Sequence, residues 1–457
     1  MKRRTVAALL ALLTIFLSLP LAGCSIESGD GLASLPKLPG EYLALQKKMD
    51  DILAQNYTPA VAESGANRQA VQQQDIDGDG EAEIVSFFRS TTSGEYMVYL
   101  HKKVGDEYVE LGHAKGYGKY LREVSYPRNK ANGARAIALS WGMEDNSSYG
   151  LSVHTLTAEG LSDALTIKYS TSYIADLNGD GVDEIVLTMF DRLSNSMSLT
   201  AYGFSGDACA AISQAPLSAD VKSVVRITRD MGPQGGHTLY VDSLVDSGGY
   251  ITDIVDLQNG ALRNTTLGSD SKRSANTWRP VSILCRDIDN DGVPEVPLAE
   301  MMPGYYDPNS ADTRWRLRWT KFRDGAAAET AVTTFHSPTE DWYLRWPDSW
   351  GSAVSVVKKN EAGILKTTFL VPVEGAGRDE YLAAGDGNVL LNIWVFTGDN
   401  RKDYFSTSGM KKLKSSENAI YAYSIPQNAY PDLTPTDEDV ARAFNAIARE
   451  WGSEGYN

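Results

Sequence analysis

Asp75-Ile76-Asp77-Gly78-Asp79-Gly80-Glu81-Ala82-Glu83 is one of three stretches in this chain with the pattern D-x-[DN]-x-D-G-x-x-E. The other two are Asp176-Leu177-Asn178-Gly179-Asp180-Gly181-Val182-Asp183-Glu184 and Asp287-Ile288-Asp289-Asn290-Asp291-Gly292-Val293-Pro294-Glu295. Side-chain oxygens fall at the first, third, fifth and ninth positions, and glycine falls at the sixth. Calcium takes roughly six to eight hard oxygen ligands, and a glycine lets the backbone bend back around the ion. A β-type run follows each copy at once: Ile84-Val85, Ile185-Val186 and Val296. Asp- and Gly-rich turns also form without metal through Asx-turn hydrogen bonds. Charge favours an ion: the first loop holds five acids and the others four each, and close carboxylates repel unless a cation lies between them. The expectation is structural calcium at up to three sites.

Successive motifs start 101 and 111 residues apart. Half of that spacing, roughly 50–55 residues, is the length of a four-stranded propeller blade. Val124–Ile137 and Val225–Leu239 lie midway and carry strand, Asn/Gly turn and strand in the same order, with Arg and Lys where the acids would be. Five repeats are therefore expected, three acidic and two basic. Between residues 70 and 335 the texture is β, with runs such as Ile84–Phe88, Tyr96–His101, Ile185–Phe190, Ile251–Val255 and Trp315–Phe322 separated by Gly, Asn and Asp turns.

On these loops the chain resembles the FG-GAP/VCBS-type repeats of integrin α-like propellers and bacterial surface proteins, over residues 65–335. The resemblance implies calcium ligands at Asp75, Asp77, Asp79 and Glu83, at Asp176, Asn178, Asp180 and Glu184, and at Asp287, Asp289, Asp291 and Glu295. Backbone carbonyls of Glu81, Val182 and Val293 would complete the sets. The ninth position is Glu where such repeats usually carry Asp. An EF-hand is the poorer match, because Ser86, Leu187 and Leu298 stand where its bidentate Glu belongs.

The first 23 residues read as an export signal: Lys2, Arg3 and Arg4, an apolar run from Thr5 to Pro20, then Leu21-Ala22-Gly23-Cys24. This resembles the lipobox of bacterial lipoproteins, which implies cleavage before Cys24, a lipid on its sulfur and an anchored, extracytoplasmic place in the bacterial cell envelope. Residues 24–40 read as a tether. Residues 41–58 hold a short helix with Tyr42, Leu45, Met49, Ile52 and Leu53 on one face and Pro59 beyond it. The net charge of −16 becomes −19 without the leader, which carries three basic residues and no acid. That balance excludes nucleic acid as a partner.

Residues 336–457 read as a small α+β domain. Trp342-Tyr343-Leu344-Arg345-Trp346-Pro347-Asp348-Ser349-Trp350 opens it, strands follow at Leu391–Phe396 and Tyr421–Ile425, and a helix capped by Thr434 carries Val440, Phe444, Ile447, Ala448 and Trp451 on one face. The unit is similar to the PsbP-like fold. The fold class expected for the whole chain is mainly β: a propeller-like domain of about five blades followed by this α+β domain.

Catalytic patterns are scarce in the chain. The five histidines, His101, His113, His154, His237 and His336, form no zinc motif. There is no G-x-S-x-G or P-loop, and the S-x-x-K matches at Ser269 and Ser408 lack partners. Glu380 and Asp386, in a Gly-rich stretch, leave paired-carboxylate sugar chemistry open. Cys209 and Cys285 read equally as a disulfide or as two buried thiols. The function expected is a surface binding or scaffold module for a protein or glycan, not an enzyme, with a propeller-borne glycosidase or lyase as the alternative.

Overall fold

The structure, a computed structural model, describes residues 43–144, 148–233, 236–361, 364–373, 380–385 and 387–447. The export signal, Cys24, the tether and Asp386 lie outside the described residues. No helix among them is long and apolar enough to cross a membrane.

Helix α1 (Leu43–Leu53) buries Leu45, Met49 and Ile52. It ends before the expected limit of residue 58, because Asn56 turns left-handed (φ 66°) and residues 57–59 join a sheet. The first sheet contains β1 (Tyr57–Pro59), β2 (Val71–Gln74), β3 (Glu83–Ser90), β4 (Tyr96–Val104) and β5 (Glu107–Lys115), with β1 and β2 end to end along one edge of β3. Three four-stranded antiparallel meanders follow. They are β6 (Tyr120–Ser125), β7 (Ile137–Gly142), β8 (Tyr149–Thr157) and β9 (Gly160–Tyr169); β10 (Thr171–Ala175), β11 (Glu184–Asp191), β12 (Ser196–Ser205) and β13 (Ala208–Pro216); and β14 (Val221–Arg229), β15 (Thr238–Val245), β16 (Tyr250–Gln258) and β17 (Ala261–Asn264). The fifth sheet runs β18 (Val296–Met301), β19 (Trp315–Arg323), β20 (Ala326–Ser337) and β21 (Trp342–Arg345) and ends on β27 (Phe444–Ala446). A sixth is ordered β22 (Ser355–Glu361), β23 (Ile364–Leu370), β24 (Val389–Thr397), β26 (Ala419–Ser424), β25 (Lys411–Ser415).

The sheets stack face to face in chain order, so their inner strands are apolar on both faces. In β11, Ile185 and Leu187 pack against the second sheet while Val186 packs against the fourth. In β15, Leu239 and Val241 face the third sheet and Tyr240 faces the fifth. Burying each such side chain contributes about 1.5–3 kcal/mol. The chain is thus mainly β and propeller-like, built from repeated antiparallel blades. The outer face of the first sheet, Ile84 and Phe88, is covered by α1. The outer face of the sixth, Phe396 and Ile420, packs with Phe405 of helix α2 (Arg401–Ser408). Helices, rather than each other, therefore cover the outer faces of the two end sheets.

The boundary expected at 335/336 falls inside β20, and the fifth and sixth sheets share one core through Phe335, Trp342, Trp350 and Phe369. The last helix also differs from expectation. Helix α3 (Asp437–Ala443) is capped by Thr436, whose hydroxyl accepts from Asp439 N while Asp439 accepts from Thr436 N. Thr434 instead donates to Tyr430 O. The helix stops at Ala443, because Phe444–Ala446 pairs with β21. Ala448 and Trp451 lie outside the described residues. Cys209 and Cys285 are free thiols buried in separate cores, one between the second and third sheets and one between the fourth and fifth.

Candidate metal loops and their internal cations

Each of the three acidic loops leads directly into a strand, β3, β11 or β18, and they share one hydrogen-bond pattern. The first Asp accepts backbone N–H groups from its own loop: Gly78 and Gly80 on Asp75, Gly179 and Gly181 on Asp176, Asp291 and Gly292 on Asp287. The fifth-position Asp accepts the N–H two residues on, from Glu81, Val182 and Val293, at 2.8–2.9 Å. The ninth-position Glu reaches back to the second residue, so that Ile76, Leu177 and Ile288 N–H donate to Glu83, Glu184 and Glu295 at 2.8–2.9 Å. The sixth-position glycines have φ of 91°, 89° and 90°, which a side chain would strain. The sequence therefore fixes these turns locally, by Asx-type bonds that a metal does not have to supply.

The oxygens also converge. Ligand atoms of Asp75, Asp77 and Glu83 lie within 4.8 Å of one another, as do those of Asp287, Asp289 and Asp291. Glu83 and Glu295 are fully buried; Oε1 of Glu295 accepts no hydrogen bond among the described residues, and that of Glu83 meets a lysine ammonium. Such a donor set fits a hard cation.

A protein cation already stands among them. Lys102 Nζ contacts Asp77 and lies 2.6 Å from Asp79 and 3.1 Å from Glu83 Oε1. Lys321 Nζ contacts Asp291 and lies 2.9 Å from Asp289 and 3.5 Å from Glu295 Oε1. Hydrogen bonds to Asp77 and Asp79 hold the Lys102 pKa well above the ordinary lysine value. Burial opposes the charge of Lys321, and its bonds to Asp291 and Asp289 outweigh that, so its pKa is also raised. Asp79 and Asp291 are correspondingly lowered by their lysines. Glu295, too far from the ammonium to benefit fully, is pushed by burial up to about 7.

Loop two differs. Pairing of Ile84 with His101 and of Val296 with Thr320 brings Glu83 opposite Lys102 and Glu295 opposite Lys321; pairing of Ile185 with Tyr202 brings Glu184 opposite Gly203. With no lysine there, the Asn178 amide donates to Glu184 at 2.7 Å and to Asp180 at 3.0 Å. Burial raises the Glu184 pKa.

The two basic loops interleave with the acidic ones. Asn132 donates to Asp77 O, and Arg135 N–H donates to Ile76 O. Arg128 forms a 2.8 Å ion pair with Asp183 and lies 3.7 Å from Asp176. Arg229 donates to Asp176 O, and Met231 N–H donates to Gly292 O. The expected strand–turn–strand copies at 124–137 and 225–239 thus sit between the acidic loops, and Arg128 meets acidic-loop charge directly. The sequence gives the residue types but not these meetings, which cross from blade to blade. The carbonyls of Glu81, Val182 and Val293 belong to the same turns.

No protein-family model matches the chain, and no curated protein matches it. Solved structures with partial overlap include TolB from Acinetobacter baumannii (12% identity, 65% of this chain and 62% of that one, TM-score 0.23). The Dos1 propeller (7%, 84% and 84%, 0.27) and the rhamnogalacturonan lyase YesX (12%, 81% and 73%, 0.26) overlap similarly. This chain spans less than two thirds of TolB. Overlap at these scores assigns neither family nor activity.

Proposed function

We propose that this chain is a lipid-anchored, extracytoplasmic binding or scaffold module of a bacterial envelope, with calcium fastening its acidic loops. One observation carries the calcium reading: two of the three like-built turns, loops one and three, bring the carboxylate oxygens of Asp75, Asp77 and Glu83 and of Asp287, Asp289 and Asp291 within 4.8 Å of one another. The ligands would be the side chains of positions one, three, five and nine with the carbonyls of Glu81, Val182 and Val293. At loops one and three calcium would compete with the ammonium of Lys102 or Lys321. The FG-GAP/VCBS resemblance supports the reading, and the lipobox-like Leu21–Cys24 supports the anchor. The test is calorimetric calcium titration with melting curves in calcium and in excess chelator. A site held at ~100 times its dissociation constant adds about 2.7 kcal/mol. No heat and superimposable melting curves would remove calcium from the account, and mature protein without a lipid mass on Cys24 would remove the anchor.

The second reading, a carbohydrate-active enzyme, rests on a cavity of about 510 Å³ between the fourth and fifth sheets. Asp230, Asp256 and Asp291 line it with Tyr240 and Phe322. Burial raises the pKa of Asp230, as a proton donor to a glycosidic oxygen requires. Reducing-end release from a polysaccharide panel, lost in Asp230→Asn, is the expected signature; no release from any substrate counts against it.

A further inference from the structure

We propose that a second cavity, beside the junction of β19, β20 and β22, binds a small monocarboxylate with an apolar, single-ring or short-chain body. The cavity measures about 310 Å³, at the low end for ligand pockets. Its walls are apolar where Ile283, Trp315, Leu317 and Phe335 line it. Its charged lining is Arg314 and Lys358, with the His336 ring beside them, and no Asp or Glu belongs to it. In a chain with a net charge of −16 that is a local reversal of sign.

The two cations are not equivalent. Lys358 is held by Glu340 at 2.6 Å and by Ser337 at 2.9 Å, so its charge is spent within the protein. Arg314 has no carboxylate within 4.0 Å among the described residues. Among the described residues its side chain makes two hydrogen bonds, both from Nη1, to Ala311 O at 2.9 Å and Thr313 O at 3.2 Å. The opposite edge, Nε and Nη2, is the fork that meets a carboxylate with two parallel bonds. Its Nε–H is buried and has no acceptor. A buried donor left unbonded is costly, and more so on a charged group. A ligand carboxylate that draws this edge into the cavity would relieve the cost, while its apolar body would lie among Trp315, Leu317 and Ile283.

The test is titration of the full chain with phenylacetate, followed by calorimetry and by tryptophan fluorescence, with 2-phenylethanol and phenethylamine as neutral and cationic controls of similar shape. Saturable phenylacetate binding at least about tenfold tighter than either control is expected. Arg314→Gln should weaken it by about tenfold or more, and Arg314→Lys, which keeps the charge without the fork, should weaken it too. Should the Gln variant fail to fold, the Lys variant and the three-ligand comparison decide. Equal binding of the three ligands, no binding of phenylacetate up to about 10 mM, or full affinity in folded Arg314→Lys would each overturn the proposal.

Discussion

Lys102 Nζ lies 3.1 Å from Oε1 of Glu83, a fully buried carboxylate. The ammonium stands where the loop geometry aims its oxygens, so protein charge and metal charge are alternatives at that point. Lys102→Met removes the competitor. In chelator the variant should melt below the parent protein, because Glu83 stays buried without a cation. In calcium its first loop should bind about tenfold more tightly. Unaltered affinity in a folded variant would mean that the ammonium and the ion do not share a site.

Gly203 holds the corresponding register position opposite Glu184. A side chain there would meet Ile212 Cγ2 at 3.2 Å, and Ile212 is 44% exposed and free to turn aside. Gly203→Lys should supply loop two with the ammonium its two counterparts possess. Calorimetry should then show a weakened or lost calcium site and a higher melting temperature in chelator. A calcium response identical to that of the parent would separate loop two from calcium binding.

Asp242 and Arg279, both fully buried, pair at 2.7 Å between the fourth and fifth sheets. Arg279 also donates to Thr252 Oγ1 and Thr277 O, and Asp242 accepts Cys285 N–H. With every partner in place the pair holds residues 275–285 against the fourth sheet. Arg279→Met removes the closest cation and leaves buried Asp242 with the Cys285 N–H, the Thr252 hydroxyl and Arg226 at 3.8 Å, at a cost of up to about 3–5 kcal/mol. Urea unfolding measures this directly, and a loss below about 1 kcal/mol would show that the site relaxes or admits water.

Cutting the chain at residue 335 divides β20 and removes β21 and β27 from the fifth sheet. It also separates Phe335 from Trp342, Trp350 and Phe369. Neither residues 43–335 nor residues 336–457 should fold cooperatively alone, whereas residues 43–447 should. Circular dichroism melts and limited proteolysis distinguish the cases; a sharp melt from the 336–457 fragment would restore an independent C-terminal domain.

His336 stacks on Tyr343 at 5.0 Å and packs beside Trp319 at 5.6 Å. Burial pushes its pKa down to about 3 from an ordinary value of 6.5. The unfolded chain therefore binds a proton that the folded one refuses. This contribution to stability is complete above pH 6.5 and is lost as pH falls from 6.5 toward 3, at up to about 1.4 kcal/mol per pH unit. Melting temperatures between pH 7 and 4 should fall less steeply for His336→Leu than for the parent. Parallel curves would show that other groups carry the acid sensitivity.

The central strands were legible in the sequence because both their faces are buried: β3 and β11 are near-continuous apolar runs. The outermost strands were not. In β13, Ala208–Pro216, only Cys209 and Ala215 are buried, so the run has little amphipathic signal and is held by its ladder to β12. The candidate loops were legible as turns, since their hydrogen bonds close within nine residues. Their cations were not, because Lys102 and Lys321 arrive from the next strand and Arg128 from the neighbouring blade.

By itself the sequence determined the acidic turns, their recurrence at blade spacing, and the apolar inner strands, all of which rest on interactions between residues close along the chain. Only the tertiary structure decided that the fifth and sixth sheets share a core, that helices cover the end sheets, and that lysines face two of the three loops. Those outcomes depend on strand register and on stacking between sheets, where a one-residue slip would move Lys102 to the other face of its strand.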